Sequence, residues 1–191
     1  ISPIHKKYKI KRMVVSTYQA VSGSGHKGVN QLLFEESKKQ IKQKAYRKQI
    51  YKNIIPHCDD FEPNGYTKEE IKIIKETNKI LGSKIKITST AVRVPTIGGH
   101  GESVNIELLK EASKKQIENI LKKQKGVVLD TGKRYKTPIE TKGKDSVFVS
   151  RIRKDQTLKS GFNMWIVADP LRKGAATNAT QILKHVISLK N

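Results

Sequence analysis

The spacing of apolar side chains along the chain changes repeatedly between the period of a strand and that of a helix. Residues 13–21 (MVVSTYQAV) are β-branched and apolar, which is typical of a buried strand. Residues 84–94 alternate like a half-exposed strand. Further short strands are predicted at 102–109, 126–129, 146–153 and 162–168, the last two forming a long hairpin.

Helical spacing predicts four helices, at about 28–47, 67–82, 112–124 and 170–189. Thr67 and Glu70 have the spacing of a capping box, and Gly82 is a plausible stop. Asp169-Pro170 predicts an N-cap followed by proline at the first helical position. Residues 50–66 contain two prolines and an Asn-Gly pair, which favours an extended connection.

These elements predict one α+β domain with a mixed, partly antiparallel sheet and helices on one face. Strands that are adjacent in sequence pair easily as antiparallel neighbours, and the interspersed helices can cover one side of the sheet. A chain of 191 residues is long enough for a single well-packed core. It begins Ile1-Ser2-Pro3 rather than with Met, so we expect a fragment or a processed product.

The charge balance raises a different class of function. Lys and Arg number 39 against 17 Asp and Glu, a net charge of +22, which makes nucleic acid or an anionic membrane surface a partner to consider. Only seven of the 39 are Arg, the lysines are spread along the chain, and aromatic residues make up 6%. A binding face would concentrate charge and place aromatics beside it. A basic nucleic-acid-binding module therefore stays an alternative rather than the main interpretation.

Cys58 is the single cysteine, which excludes an internal disulfide and any cysteine-based metal cluster. We interpret it as a buried or half-buried free thiol in a reducing, cytoplasmic setting. No run of 18 or more apolar residues is present, so no membrane span is predicted, and no metal site is expected.

Polar residues in unusual places are the candidates for chemistry. Arg93 lies among apolar and small strand positions, where a guanidinium needs either an internal acid or a carboxylate ligand that accepts two parallel hydrogen bonds. His100 lies in a glycine-rich loop and is either simply solvated or an acid/base group. Gln19 precedes the turn that contains Ser22 and Gly23, where free backbone N–H groups favour anionic or polar ligands.

Several stretches together resemble one family, the aspartate-semialdehyde dehydrogenases, and most closely the C-terminal half of its bacterial branch. The likeness covers nearly the whole chain and follows the family's order. The stretches that carry it are VVSTYQAVSGSG (14–25), NIIPHCDDFEPNGYTKEE (53–70), ETNKILG (76–82), VRVPTIGGHGESVNIE (92–107), GKDSVFVSRIRKD (143–155) and NMWIVADPLRKGAATNATQI (163–182).

The resemblance implies an NADP-dependent enzyme that reduces aspartyl phosphate to aspartate semialdehyde and phosphate, in the synthesis of lysine, threonine and methionine. It implies a C-terminal domain like that of glyceraldehyde-phosphate dehydrogenase, in a homodimer or tetramer. Residues 1–169 would form the substrate-binding and dimerisation domain. Residues 170–191 would form a helix that packs back on a nucleotide-binding half absent from this chain.

The resemblance also implies roles for particular residues. His100 would be the acid/base group, and Gln19 and Arg93 would bind substrate. Further roles are implied for Glu70 at the substrate amine, for Lys72 at phosphate, and for Ser22 and Gly23 at the cofactor. For Glu70 the capping box alone would explain the residue, but with the resemblance we favour ligand contact. We expect Gln19, Arg93 and His100 to converge on one concave site.

Three departures from the family pattern limit the expectation. The family's nucleophilic cysteine belongs to the absent half and Cys58 matches no nucleophile motif, so the chain alone is expected to be inactive. Gly101 replaces a usual serine, which we expect to alter loop stiffness more than chemistry. Pro170 replaces an amide side chain that can reach the nicotinamide, which puts that cofactor contact in doubt.

Two other interpretations accompany the main one. An N-acetyl-glutamyl-phosphate reductase shares the reaction type, although the stretches quoted above argue against it. A natural truncation kept as a structural or regulatory partner is the other.

Overall fold

The computed structural model describes residues 1–189 as an α+β domain, which confirms the predicted fold class. Six strands are ordered in the sheet β2-β1-β3-β6-β5-β4. Their bounds are β1 Ile10–Ala20, β2 Lys86–Val94, β3 His100–Leu108, β4 Val127–Leu129, β5 Val147–Asp155 and β6 Gly161–Ala168. The α-helices are α1 Ser2–Tyr8, α2 Gly25–Glu36, α3 Lys68–Leu81, α4 Lys114–Lys122 and α5 Thr177–Ser188.

The sheet is mixed, as predicted. The pairs β1/β2 and β4/β5 are parallel, and β1/β3, β3/β6 and β5/β6 are antiparallel, the last being the expected long hairpin. This pattern brings the ends of β1 and β2 and the start of β3 to one edge of the sheet. In register, Gln19 pairs with Arg93 and His100 pairs with Ala168.

Helices cover one face of the sheet only. α1, α4 and the end of α3 pack on the inward-pointing side chains of the central strands. The fully buried members include Ile4, Ile106, Ile117, Phe162 and Met164, and burying each such side chain stabilises the fold by roughly 1.5–3 kcal/mol. On the opposite face Val14, Ser16, Tyr18 and Trp165 are half-buried, whereas Ser150 and Val167 are buried. We call this surface the open face.

The boundaries of α3 follow its sequence signals. Thr67 Oγ1 accepts from the backbone N–H of Glu70, and the Glu70 carboxylate accepts from the N–H of Thr67 at 2.8 Å, which completes the capping box. Gly82 ends the helix with φ 58°, in the left-handed region that glycine adopts without strain.

One helical prediction was wrong, and one helix was missed. The helix expected over 28–47 ends at Glu36, because Lys38 takes a positive φ of 54° and the following lysine-rich residues offer few apolar positions to bury. The short helix α1 was not predicted. It is held by burial of Ile4 and Tyr8, with Pro3 in its first turn, where the missing N–H costs nothing.

The last α-helix begins at Thr177, later than Asp169-Pro170 predicted, although Asp169 does cap the turn that precedes it. Asp169 Oδ1 accepts from the backbone N–H groups of Leu171 and Arg172, at 2.8 and 3.2 Å. A single π-helical turn, Arg172–Ala176, then leads into α5, none of whose residues is buried. Within residues 1–189, no helix is both long and apolar enough to span a membrane.

Candidate active site

A cleft of about 1130 Å³ opens at the edge of the sheet where β1 and β2 end and β3 begins. Five of the residues that the resemblance assigns to the site line it: Gln19, Gly23, Lys72, Arg93 and His100. Gln19, Arg93 and His100 therefore converge on one concave surface, as expected. Strand pairing explains the convergence, because Gln19 and Arg93 are register partners and His100 is the first residue of β3.

Arg93 is fixed by its backbone, and its guanidinium makes one hydrogen bond and no ion pair within the described residues. Its N–H and C=O are both bonded to Ile55, at 2.8 and 3.0 Å. The side chain is 7% exposed, and Nη1 donates to the Ala20 carbonyl at 2.8 Å. Within the described residues Arg93 makes no ion pair, and its buried Nε has no hydrogen-bond partner. A buried cation without a carboxylate is costly, so this geometry favours an anionic ligand.

His100 faces the cleft with one ring nitrogen already engaged. The Ala20 N–H donates to Nδ1 at 3.1 Å, so the neutral ring carries its proton on Nε2. Burial, and then the positive charge of Arg93, lower the pKa of His100 from 6.5 to about 4. The ring is therefore neutral at physiological pH and presents an Nε2–H donor.

Gly23 lies against both of these side chains. A Cβ built on Gly23 would lie 3.0 Å from Arg93 Nη1 and 3.1 Å from His100 Nε2. The absence of a side chain at position 23 therefore keeps the cleft open beside both groups. Ser22 does not line the cleft, because its hydroxyl donates to the Gly98 carbonyl at 3.2 Å and secures the loop before His100.

Glu69, which the sequence analysis did not select, connects two of the predicted residues. Its carboxylate accepts from Gln19 Nε2 at 3.2 Å and pairs with Lys72 Nζ at 3.2 Å. Glu69 and Lys72 are three residues apart, so they share one face of α3, and this face borders the cleft.

Glu70 points away from the cleft, contrary to the ligand contact expected of it. One carboxylate oxygen caps α3 at Thr67, and the other accepts from the backbone N–H of Ala91 at 2.9 Å. Both oxygens are thus used to fasten the start of α3 to β2. The capping-box spacing was the signal that separates Glu70 from its neighbour Glu69.

Cys58 is a buried free thiol, as interpreted from the sequence. It borders the cleft, but burial raises the pKa of its thiol to about 11. The thiolate is the nucleophilic form of cysteine. Cys58 therefore stays protonated at neutral pH, which agrees with the absence of a nucleophile motif around it.

Gly101 and Pro170, the two residues near the cleft that depart from the family pattern, have different surroundings. Gly101 lies within β3 rather than in the loop, so the expectation about loop stiffness was wrong. A Cβ on Gly101 would overlap the six-membered ring of Trp165 on β6. Pro170 lines the cleft together with Leu171 and Gly174, so the segment before α5 reaches the site without a side-chain donor at position 170.

Tyr46 is a further residue that the sequence did not indicate. It lies in the non-helical segment after α2 and lines the cleft beside Arg93. Its position depends on how that segment folds back, for which no local sequence signal exists. No cluster of three or more His, Cys, Asp or Glu suited to a metal ion occurs in the described part of the chain.

Comparison with known proteins gives a consistent result. A family model described as the semialdehyde dehydrogenase dimerisation domain matches residues 1–173. Aspartate-semialdehyde dehydrogenases of Aquifex aeolicus and Rickettsia conorii are 44% and 43% identical over 196 and 195 residues. Each alignment covers 98% of this chain and 58% of the relative, so the chain spans little more than half the length of these relatives.

Solved structures agree. Aspartate semialdehyde dehydrogenase II of Vibrio cholerae superposes with a TM-score of 0.93 at 39% identity, covering 97% of this chain and 57% of that one. The same protein complexed with ASA gives 0.92. A Candida albicans aspartate semialdehyde dehydrogenase with NADP, 20% identical with a TM-score of 0.69, shares the fold.

These relatives and structures favour neither the N-acetyl-glutamyl-phosphate reductase nor the nucleic-acid-binding alternative. The resemblance inferred from the quoted stretches is confirmed across nearly the whole chain. The chain therefore belongs to the semialdehyde dehydrogenase dimerisation-domain family, in which the relatives named above are aspartate-semialdehyde dehydrogenases.

Proposed function

We propose that this chain is the substrate-binding and dimerisation half of an NADPH-dependent aspartate-semialdehyde dehydrogenase, which converts aspartyl 4-phosphate to aspartate 4-semialdehyde and phosphate. The observation that carries the proposal is Arg93, a buried guanidinium that makes no ion pair among residues 1–189 and lines one cleft together with His100. The part of the relatives that this chain does not span would supply the nucleotide-binding half and the nucleophilic cysteine.

Arg93 would bind the α-carboxylate of the substrate. A planar guanidinium offers a carboxylate two parallel N–H bonds, which fix both its position and its plane. Its Nη1 is bonded to the Ala20 carbonyl, which anchors one edge of the group, and its Nε makes no hydrogen bond within the described residues. The carbonyl to be attacked would then be held at a defined distance from His100.

His100 would donate a hydrogen bond from Nε2–H to the carbonyl oxygen as negative charge develops there. The bond from the Ala20 N–H to Nδ1 holds the tautomer that carries this proton. A pKa near 4 keeps the ring neutral, so the donor is present over the whole neutral range. A preorganised donor of this kind stabilises developing charge without having to reorient.

Glu69 and Lys72 would bind the remaining charged groups of the substrate, the amine and the phosphate respectively. We assign the amine to Glu69 in place of Glu70, because Glu69 borders the cleft and Glu70 has both oxygens bonded to backbone N–H groups. Gln19 donates to Glu69 and so fixes the orientation of its carboxylate. Lys72, which is half exposed, can turn from Glu69 toward an incoming phosphate.

The nicotinamide of NADPH would lie against Gly23, since a residue without a side chain leaves room beside His100 for a flat ring. Ser22 would contribute through its backbone, because its hydroxyl is bonded to Gly98. Pro170 offers no donor, so the last helix would contact the cofactor only through van der Waals packing. When bound, NADPH supplies the hydride of the reaction.

The open face would be the dimer interface. The matching family is named for dimerisation, and the helices leave this face of the sheet uncovered. Tyr18 and Trp165 lie at its centre, with ring centroids 5.7 Å apart. Half-buried aromatic residues of this kind are enriched in subunit interfaces.

Residues 170–189 would pack on the nucleotide-binding half. The family model ends at residue 173, and the helix beyond it exposes an apolar stripe. Side chains along that stripe are 44–72% exposed: Ile182, Leu183, Val186, Ile187 and Leu189. Their spacing places them on one side of α5, as in a helix that lies against another domain.

A chimera tests the function. The portion of the Aquifex aeolicus relative that this chain does not cover would be joined to residues 1–191, and phosphate-dependent oxidation of aspartate semialdehyde would be followed through NADPH absorbance. We expect activity from the chimera and none from the 191-residue chain alone. The His100→Asn chimera is the matched control for background oxidation.

A folded, dimeric chimera without activity would refute the proposal. Activity of the 191-residue chain alone would refute the assignment of the nucleophile to the absent half and would return attention to Cys58. If the chimera oxidises N-acetyl-glutamate semialdehyde but not aspartate semialdehyde, the substrate assigned here is wrong and N-acetyl-glutamate semialdehyde takes its place.

A further inference from the structure

Residues 45–51 fold back over α2 and form one wall of the cleft. We call them the strap. They adopt no helix or strand, and two side chains of α2 hold their backbone. Gln31, fully buried, accepts from the Tyr46 N–H at 2.8 Å and donates to the Tyr46 carbonyl at 3.2 Å. Glu35 accepts from the N–H groups of Ile50 and Tyr51, both at 2.8 Å.

The hydrogen bonds to Glu35 favour its charged form. Burial alone would raise the pKa of this carboxyl, but bonds from Tyr51, Gln31 and Ile50 together hold it below its ordinary value. A polar group is buried at a cost unless it is fully bonded, and here Gln31 and Glu35 are bonded to the strap. The strap is therefore a fixed part of the domain and not a loose loop.

Tyr46 is the strap residue that reaches into the site. Its hydroxyl donates to Ser24 Oγ at 2.8 Å, and the approach depends on Gly28, where a Cβ would lie 2.8 Å from the Tyr46 oxygen. The ring then stands 5.9 Å from the Arg93 Cζ, within the range of a cation–π contact. A phenol held at both its backbone and its hydroxyl has little freedom to move.

Arg93 is the group that needs such a support. Its one side-chain hydrogen bond, to the Ala20 carbonyl, leaves the guanidinium plane free to turn about that contact. Gly23 approaches the guanidinium at Nη1, and the Tyr46 ring faces the same group. The ring restricts the turn of the guanidinium at the wall of the cleft, which both residues line.

We propose that Tyr46 is a positioning residue, which orients Arg93 for a carboxylate ligand through the face of its ring. The inference rests on the proposed function, since it takes the α-carboxylate of aspartate semialdehyde as the ligand of Arg93. It differs from an anchoring role for the strap, in which Tyr46 would matter only through its hydroxyl and its packing. The two roles predict different effects on substrate binding.

The test uses the chimeric enzyme and a series at position 46. Tyr46→Phe keeps the ring and loses the bond to Ser24, and phenylalanines with one, two and three fluorine atoms then weaken the attraction of the ring for a cation at nearly constant size. We expect KM for aspartate semialdehyde to rise about three- to tenfold across the series, with log KM increasing in proportion to fluorination and kcat changing less. A KM independent of fluorination overturns the proposal.

A double-mutant cycle assigns the effect to Arg93. Tyr46→Leu should raise KM in the unsubstituted chimera but add little in the Arg93→Lys background, because the group to be oriented is then absent. Equal effects in both backgrounds overturn the proposal. Tyr51→Leu is the matched control: it lies in the same strap with Lys52 Nζ 5.3 Å from its ring, but it does not line the cleft. We expect KM near the unsubstituted value.

A measurement without catalysis keeps this inference separate from the proposed function. In the 191-residue chain, NMR of the arginine side chains reports the Arg93 Nε–H directly. We expect a ring-current shift and slow guanidinium rotation that Tyr46→Leu abolishes and Tyr51→Leu does not. If Tyr46→Leu abolishes these signatures but the chimera has no activity, the contact between Tyr46 and Arg93 stands and the proposed substrate is wrong. An Arg93 signal unchanged by Tyr46→Leu would reject the contact itself.

Discussion

The six-membered ring of Trp165 occupies the space that a side chain on Gly101 would need, so the two residues of neighbouring strands β3 and β6 fit only as a pair. The indole cannot retreat freely. Its Nε1 donates to the Lys136 carbonyl at 3.0 Å, and its ring packs on Tyr18. The glycine at the position where relatives are expected to have serine is thus matched by this tryptophan.

Gly101→Ser should therefore destabilise the chain by about 1–3 kcal/mol, the usual cost of overpacking a well-filled site. Urea unfolding of the 191-residue chain measures it. Adding Trp165→Leu should recover most of the loss, because the smaller side chain frees the space. If the double variant is as unstable as the sum of the single ones, the two positions are independent and this explanation fails.

The lowered pKa of His100 makes stability depend on pH. Folded His100 has a pKa of about 4 and the unfolded residue 6.5, so between these values the unfolded chain binds a proton that the folded chain does not. Stability should fall as pH decreases from 6.5 to 4, by up to about 3 kcal/mol from this residue. Above pH 7 the contribution is fully present.

Denaturant unfolding of the unsubstituted chain and of His100→Asn at several pH values isolates this contribution, since the carboxylates are common to both. The variant should lose less stability between pH 7 and pH 4.5. Parallel pH curves would mean that His100 titrates near its ordinary value when folded.

Glu69 and Glu70 should separate into a binding and a structural residue. Glu70→Gln leaves one carbonyl oxygen for two backbone N–H groups, those of Thr67 and Ala91, and should cost about 1–2 kcal/mol of stability. Glu69→Gln should change stability by less than about 0.5 kcal/mol, as is usual for a partly exposed position.

In the chimera, Glu69→Gln should raise KM about tenfold or more by removing a charge-assisted bond to the substrate amine. The fraction of the Glu70→Gln chimera that stays folded should have a KM close to that of the unsubstituted chimera. Kinetics and thermal unfolding on the same preparations provide the comparison. The opposite pattern would restore Glu70 as the ligand.

Arg93→Lys should reduce kcat/KM by one to two decades and leave the melting temperature nearly unchanged. Lysine retains the charge but not the planar pair of donors, and the loss of a charge-assisted bond costs roughly 1.5–3 kcal/mol. The partner is a ligand and not the protein, since Arg93 makes no ion pair in the described residues. Near-normal kinetics with a lower melting temperature would remove Arg93 from the site.

Local signals in the sequence were sufficient for most of the fold. Alternation located β2 and the β5–β6 hairpin, and the capping box with Gly82 bounded α3 within one residue. The end of α2 was missed because Gln31 and Glu35 have the polarity of surface residues, although Gln31 is fully buried and both side chains bond the backbone of the strap. Polarity predicts exposure, and here it fails where polar groups bind backbone.

The sequence indicated most residues of the site but not how they are arranged. Gln19 and Arg93 are far apart in sequence, and their adjacency follows from a parallel register that no local pattern specifies. The resemblance to the family, and no local pattern, predicted that these two residues share a site. Choosing between Glu69 and Glu70 required knowing which carboxylate the helix terminus uses, and Tyr46 required the fold of the strap.

Side chains alternate between the two sides of a strand, so the open face and the cleft lie on opposite sides of the same sheet. Tyr18 precedes Gln19 and Gly101 follows His100, so consecutive residues lie on opposite sides of the same two strands. If two subunits meet on one side, the substrate is bound on the other, with a single layer of backbone between them. Specific activity of the chimera should then decline when the enzyme is diluted below the dissociation constant of its subunits. Substrate should delay this decline, because it favours the associated form.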